Sequence, residues 1–197
     1  MTLPRPCTAA EAVERALSVA GQGGEYEMGG GDYYPVGGID LPWTRNKAGG
    51  LVSDCSGFAI SWCYRLPRHR PGFNRGPWAT VSDDVNPNSA IEDADHHREL
   101  FERLDRPELG ALLCYPTFRL PGHELPWIGH VKIVTGIARC LEWDAANPDW
   151  SLLDTVECMG PPGRKPGAVL GTGASLVEHD RTWPKAEHRT AMLRVRC

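Results

Sequence analysis

The chain has 197 residues, 41% of them hydrophobic, and a formal net charge of −4. That is enough apolar material for one core, and the charge argues against a general nucleic-acid binder, whose contact face is normally basic. No apolar run approaches the roughly 20 residues of a membrane span, and seven cysteines (7, 55, 63, 114, 140, 158 and 197) without a Cys-x-x-Cys pair fit a reduced protein with mostly buried thiols, with neither a disulfide framework nor a zinc signature.

In chain order, Thr8-Ala9-Ala10-Glu11 is a capping-box pattern opening a helix through about Ala20, with Val13, Ala16, Leu17 and Ala20 on its apolar face. A glycine-rich loop is expected from Gly21 to Gly50, with Tyr33, Tyr34 and Trp43 as candidate cleft aromatics or loop anchors. Asp54-Cys55-Ser56-Gly57-Phe58 then runs into an apolar helix. Phe58, Ala59, Trp62, Cys63 and Leu66 recur at spacings of three and four, and Pro67 stops it. Arg65 to Arg75 is basic, and Pro67, Pro71 and Gly72 make it a solvated loop. Ser89-Ala90-Ile91-Glu92 predicts a second capped helix to about Leu104, with Ile91, Ala94, Leu100 and Phe101 as its apolar side. Strands are expected near 111–115, 130–138, 151–158 and 191–196, the last as an edge strand closing a Gly/Pro/Arg-rich tail from Gly163 to Cys197. Helices first and antiparallel strands after make an α+β layout in one domain over 1–197.

The chemistry centres on Cys55. At a helix N-terminus unpaired backbone N–H groups and the helix dipole favour thiolate over thiol; the plainer alternative is a small buried hydrophobe. A cysteine nucleophile needs a base, and of seven histidines only His130 sits in a strand-like run, Gly129-His130-Val131-Lys132-Ile133-Val134-Thr135-Gly136-Ile137. His96 and His97 lie in a polar helical stretch, His69 in a Pro/Arg-rich loop, and His179 and His188 in a charged tail. A third group must orient the imidazole. Beyond the turn at Asn147-Pro148, the stretch Trp150 to Gly160 reads as a strand carrying Asp154 and Glu157. Their opposite parity lets only one of them face His130.

These motifs resemble the NlpC/P60 superfamily of papain-like cysteine peptidases, cell-wall hydrolases related to the CHAP amidases. Asp54 to Phe58 matches the family's Asp-Cys-Ser-Gly nucleophile motif, and Gly129 to Val134 its Gly-His-Val-x-Ile-Val base motif. Tyr26-Glu27-Met28-Gly29-Gly30 looks like the upstream Tyr-x-x-Gly-Gly, and Val156-Glu157-Cys158-Met159-Gly160 like the strand bearing the third polar residue. The family usually has His, Asn or Gln where Glu157 stands, and Glu is more typical of CHAP-like members. Glu108-Leu109-Gly110-Ala111 resembles a Gly-Asp-Leu turn with alanine in place of aspartate. The segment Thr117 to Ile128 is longer than a minimal core needs.

The resemblance covers about residues 9–160 and implies N-terminal helices packed on an antiparallel sheet, with 163–197 as an extension. It implies Cys55, His130 and Glu157 as catalytic residues and Tyr26, Asp54 and Ser56 as substrate binders, with no cofactor and no metal. The implied activity is hydrolysis of amide bonds in peptidoglycan stem peptides through an acyl-enzyme, with backbone amides at the start of the Cys55 helix as oxyanion donors. The implied partner is therefore peptidoglycan or a stem peptide, not nucleic acid or membrane; an immunity or delivery partner is left open. Met1 to Pro6 lacks the apolar core of a secretory signal, so a wall hydrolase is expected to reach its substrate by lysis, as an endolysin does, or by a dedicated delivery machine. Two alternatives stand beside this reading: a catalytically silent module gripping a wall peptide, and a thiol hydrolase acting on another amide or ester.

Overall fold

The computed structural model describes residues 5–21, 24–31, 40–70, 73, 84–117, 129–158, 168–172 and 190–196. The capping box at Thr8 forms as its residue types require. The Thr8 hydroxyl accepts from the Glu11 amide at 3.3 Å, and the Glu11 carboxylate takes the Thr8 amide at 2.8 Å, opening α1 (Ala9–Ser18). The helix ends two residues short of Ala20, and its buried line is Ala12, Ala16 and Val19; Leu17, expected inside, is 46% exposed. Arg15 accounts for the rotation. Its guanidinium lies 4.1 Å over the Trp62 ring and pairs with Asp40 at 2.8 Å, which turns this side of α1 toward the protein.

The expected loop from Gly21 to Gly50 contains two strands too short to show periodicity. β1 (Glu25–Tyr26) and β2 (Thr44–Arg45) flank β3 (Leu51–Ser53), β1 parallel and β2 antiparallel. Trp43 is 3% exposed and belongs to the core, so it is no cleft aromatic; Tyr33 and Tyr34 lie outside the described residues.

Residues 55–64 form the central helix, and its middle, Gly57–Trp62, is π-helical and buried on every side, not on one face as the spacing predicted. Its end comes earlier than Pro67, at Arg65, whose φ of 54° is left-handed. Gly57 is needed for close approach: a Cβ there would stand 2.3 Å from the Gly30 carbonyl oxygen and 2.8 Å from that of Gly31. Because both neighbours are backbone, Gly57→Ala is expected to cost about 1–3 kcal/mol, read as a fall in Tm of roughly 2–12 °C for a chain of this size. An unchanged Tm would show that the loop at Gly30 yields freely.

The cap of the second helix lies three residues earlier than Ser89. Asn86 caps it, accepting from the Asn88 and Ser89 amides at 2.9 and 3.1 Å, and Pro87 presets the first turn of α2 (Pro87–Glu92). Ser89 is thus the partner inside the capping box. The coil continues as a π-helical turn, Asp93–His97, and stops at Arg98 with φ 55°, well before Leu104. The buried Asp93 carboxylate then accepts the amides of Glu99, Leu100 and Phe101 at 3.2, 2.8 and 2.8 Å and turns the chain into β4 (Phe101–Arg103).

The larger sheet is antiparallel throughout, in the order β4-β9-β5-β6-β7-β8, with β5 Leu112–Tyr115, β6 His130–Gly136, β7 Asp154–Cys158, β8 Ala168–Thr172 and β9 Ala191–Val195. Three strand expectations change. β6 ends at Gly136, where its register with β7 shifts. Trp150–Leu152 is a 3-10 turn capped by Asp149, so β7 starts at Asp154. The tail supplies two strands: β8 lies at the edge, while β9 is interior, because Ala191, Met192, Leu193 and Val195 are buried and both its sides are paired.

One sheet face, with Leu112, Cys114, Val131, Ile133, Val156, Cys158 and Leu193, shares a core with Ala12 and Ala16 of α1, Phe58 and Ile60 of the central helix and Ala90 of α2. The other carries Leu113, Tyr115, Val134 and Met192 with Trp150 and Leu153. This is a mixed α+β protein, and no helix among the described residues is long and apolar enough to cross a membrane.

Candidate active site

Asp54 joins β3 to the central helix and organises its start. Its Oδ1 accepts from the Gly57 amide at 2.7 Å, the Ser56 hydroxyl at 3.0 Å and Arg68 Nη1 at 3.0 Å; its Oδ2 accepts from Arg68 Nη2 at 2.6 Å and the Gly29 amide at 2.8 Å. Arg68 also donates to the Gly30 carbonyl at 2.7 Å. The carboxylate therefore caps the helix and pins the Gly29-Gly30 turn beside it. Arg68, expected in a solvated basic loop, keeps only 12% of its side chain exposed because Asp54 and the Gly30 carbonyl take it inward. Pro71, Gly72, Asn74 and Arg75 lie outside the described residues.

This cap holds Cys55 in the first turn, 4% exposed. His130 is the first residue of β6, at an end of the sheet, and its imidazole lies beside the Cys55 side chain. Nε2 is engaged by Glu157 Oε2 at 2.7 Å, which leaves Nδ1 for the sulfur. Of the two carboxylates on β7, Glu157 faces the histidine, as parity allows for only one; Asp154 is exposed and pairs with Arg139 at 2.8 Å. Tyr26, half-buried on β1, lies beside the same sulfur. Ser56 is buried and spends its hydroxyl on Asp54. Of the residues assigned by resemblance, Cys55, His130, Glu157 and Tyr26 thus meet directly, while Asp54 and Ser56 stand behind them as support.

The electrostatics follow from burial and neighbours. Burial pulls the His130 imidazole down, but the Cys55 sulfur and then Glu157 outweigh it and raise its pKa from 6.5 to about 9. Burial pushes Glu157 up, and the His130 hydrogen bond and charge, followed by Lys132, bring it down from 4.5 to about 2. The Tyr26 phenol is raised, by burial first and then by negative charge at Cys55 and Asp54, so it remains a hydroxyl donor.

Two participants escaped the sequence reading. Lys132, 1% exposed, places Nζ 2.6 Å from Glu157 Oε1. It follows His130 by two residues on one strand, so shared parity was a usable signal. Arg68 carried none, since nothing distinguishes it in sequence from Arg65 or Arg70. Of the other histidines, His69, His96 and His97 are exposed and away from this cluster, and His123, His179 and His188 lie outside the described residues. Among the described residues no group of His, Cys, Asp and Glu is arranged to hold a metal ion. Neither a family model, nor a curated protein, nor a solved structure matches this chain.

Proposed function

We propose that the chain is a cysteine amidase or endopeptidase that hydrolyses amide bonds in peptidoglycan stem peptides, built in a papain-like manner around Cys55 and His130. The observation that carries the reading is one series, Cys55 beside His130 and His130 hydrogen-bonded to Glu157 at 2.7 Å, with the sulfur in the first turn of a helix. Cys55 thiolate attacks the carbonyl carbon, His130 gives its proton to the leaving amine, and neutral His130 then takes a proton from the water that releases the acyl group.

Four amides head the central helix, and two are spent on Asp54: Gly57 on its carboxylate and Phe58 on its carbonyl at 2.9 Å. The amides of Cys55 and Ser56 precede any intrahelical acceptor and are the natural donors to an oxyanion. With Asp54 neutralised by Arg68, the Tyr26 hydroxyl is the polar group left at the sulfur to meet substrate. The substrate class rests on the four motifs in order; the wall would be reached after lysis or delivery.

Purified protein and Cys55→Ala are to be incubated with peptidoglycan and with isolated stem peptides, the products being identified by mass spectrometry. A product released only by the unaltered protein is expected, and its mass names the bond. If nothing is released while iodoacetamide still labels Cys55, the nucleophile stands and the substrate is another amide. If Cys55 is also inert, the chain is a silent wall-binding or structural module.

A further inference from the structure

Resting on that reading of Cys55 and His130, we propose that Lys132 is a positioning residue: it turns Glu157 into a charge-balanced orienting group, so that the Glu157–Lys132 pair does for His130 what a neutral amide would do. One carboxylate bridges two cations across the β6–β7 ladder, Oε2 to His130 Nε2 at 2.7 Å and Oε1 to Lys132 Nζ at 2.6 Å. The register Ile133↔Val156 sets Lys132 opposite Glu157, and the two side chains are 1% and 3% exposed. A buried lysine on a buried glutamate is an expensive arrangement unless both charges are used.

The use follows from what His130 has to do. It must be protonated to expel the amine and neutral to activate water, so its proton must be neither too tightly nor too loosely held. A bare carboxylate on Nε2 would hold the imidazolium through the acyl-enzyme, where the thiolate no longer contributes. Lys132 offsets that carboxylate from its other oxygen while leaving the orienting hydrogen bond intact. With thiolate and imidazolium formed, the charges along Cys55, His130, Glu157 and Lys132 alternate and sum to zero. Among the described residues the other titratable groups at this series are Tyr26 from β1, Cys114 from β5 and Arg68 from the 65–70 loop, each within electrostatic reach of Cys55, with Asp54 and Cys158 beside Tyr26.

The test reads the His130 titration directly, by NMR of protein carrying labelled histidine, the His130 signal being assigned by its loss in His130→Ala. Lys132→Met is expected to move the titration up by about one pH unit, and Glu157→Gln, which leaves a buried lysine unopposed, down by about one or more. The double variant Glu157→Gln/Lys132→Met keeps an amide orienter with no net charge and is expected to return to within about half a unit of the unaltered protein. On a substrate, Lys132→Met is expected to lower kcat about tenfold per unit of upward shift, through slower deacylation, with kcat/KM less affected.

A titration that stays in place in Lys132→Met while its Tm falls would make Lys132 merely structural, and opposite single shifts that fail to cancel in the double variant would overturn the amide-like role. Circular dichroism establishes which variants fold, and the double variant decides if a single does not. Failure of the enzyme reading looks different: Cys55 of the unaltered protein is inert to iodoacetamide, whatever the His130 titration does in the variants.

Discussion

His130→Ala is expected to lower hydrolysis of a stem-peptide amide by about 10²–10⁴-fold, the range that a positioned acid and base supplies, while the protein remains folded. In the proposed mechanism His130 contributes a proton twice, and when the imidazole is removed the buried Glu157 keeps Lys132 as its partner at 2.6 Å, so the loss is expected to come from chemistry. The same residue sets the pH profile. Its proton is held to about 9, and the leaving amine needs that proton, so kcat/KM is expected to fall as pH rises through about 9. Alkylation of Cys55 by iodoacetamide needs only thiolate and should not fall with it. Parallel decline of both rates would place the alkaline limb on another group.

The same shifts both stabilise the folded state, with opposite pH dependence. A pKa raised from 6.5 to about 9 stabilises the folded state fully below about 6.5, and that contribution disappears as pH rises through 9. A pKa lowered from 4.5 to about 2 stabilises fully above about 4.5, and that contribution is lost as pH falls through 2. Both act in full between about pH 4.5 and 6.5. Tm measured across pH should fall away on the alkaline side less in His130→Ala than in the unaltered protein; identical slopes would remove His130 as the source.

Arg68→Met is expected to be the most destabilising single change, at about 3–5 kcal/mol, the usual result of removing one partner of a buried ion pair. The Asp54 carboxylate would lose both guanidinium bonds while its side chain stays 5% exposed, keeping only the Gly29 and Gly57 amides and the Ser56 hydroxyl. The Gly30 carbonyl would lose the guanidinium as well and keep only the Asp54 amide at 3.0 Å. In a chain of this length that corresponds to a fall in Tm of roughly 6–20 °C. Because this hub seats the turn carrying Cys55, thiol alkylation should slow as well, even well below Tm. A small Tm change with normal alkylation would mean that solvent replaces Arg68 at Asp54.

Local rules that depend on neighbours in sequence were legible wherever one signal had no rival. The Thr8 capping box, the helix after Cys55, the strand opened by His130 and the parity that separates Glu157 from Asp154 are all of this kind. Where two local signals competed, spacing chose wrongly. Asn86-Pro87 displaced Ser89 as the helix start because a cap followed by proline at the first turn satisfies the orphan amides earlier. Periodicity places Leu17 inside, yet Arg15, seated on Trp62 and Asp40, turns α1 so that Leu17 is exposed. The two-residue strands β1 and β2 are shorter than any periodic signal.

By itself the sequence determined which side chains were chemically eligible, Cys55, His130 and either Asp154 or Glu157, and which local elements would carry them, since capping and side-chain alternation act over a few residues. Only the tertiary structure decided who meets whom. The β6–β7 register put Lys132 on the far oxygen of Glu157, packing of the 65–70 loop drove Arg68 rather than Arg65 onto Asp54, and β9 took an interior place that its position near the chain end did not announce. The physical reason is that a buried charge is tolerated only beside an opposite one. That condition couples residues 14 and 25 positions apart through space, while sequence periodicity carries information about near neighbours alone.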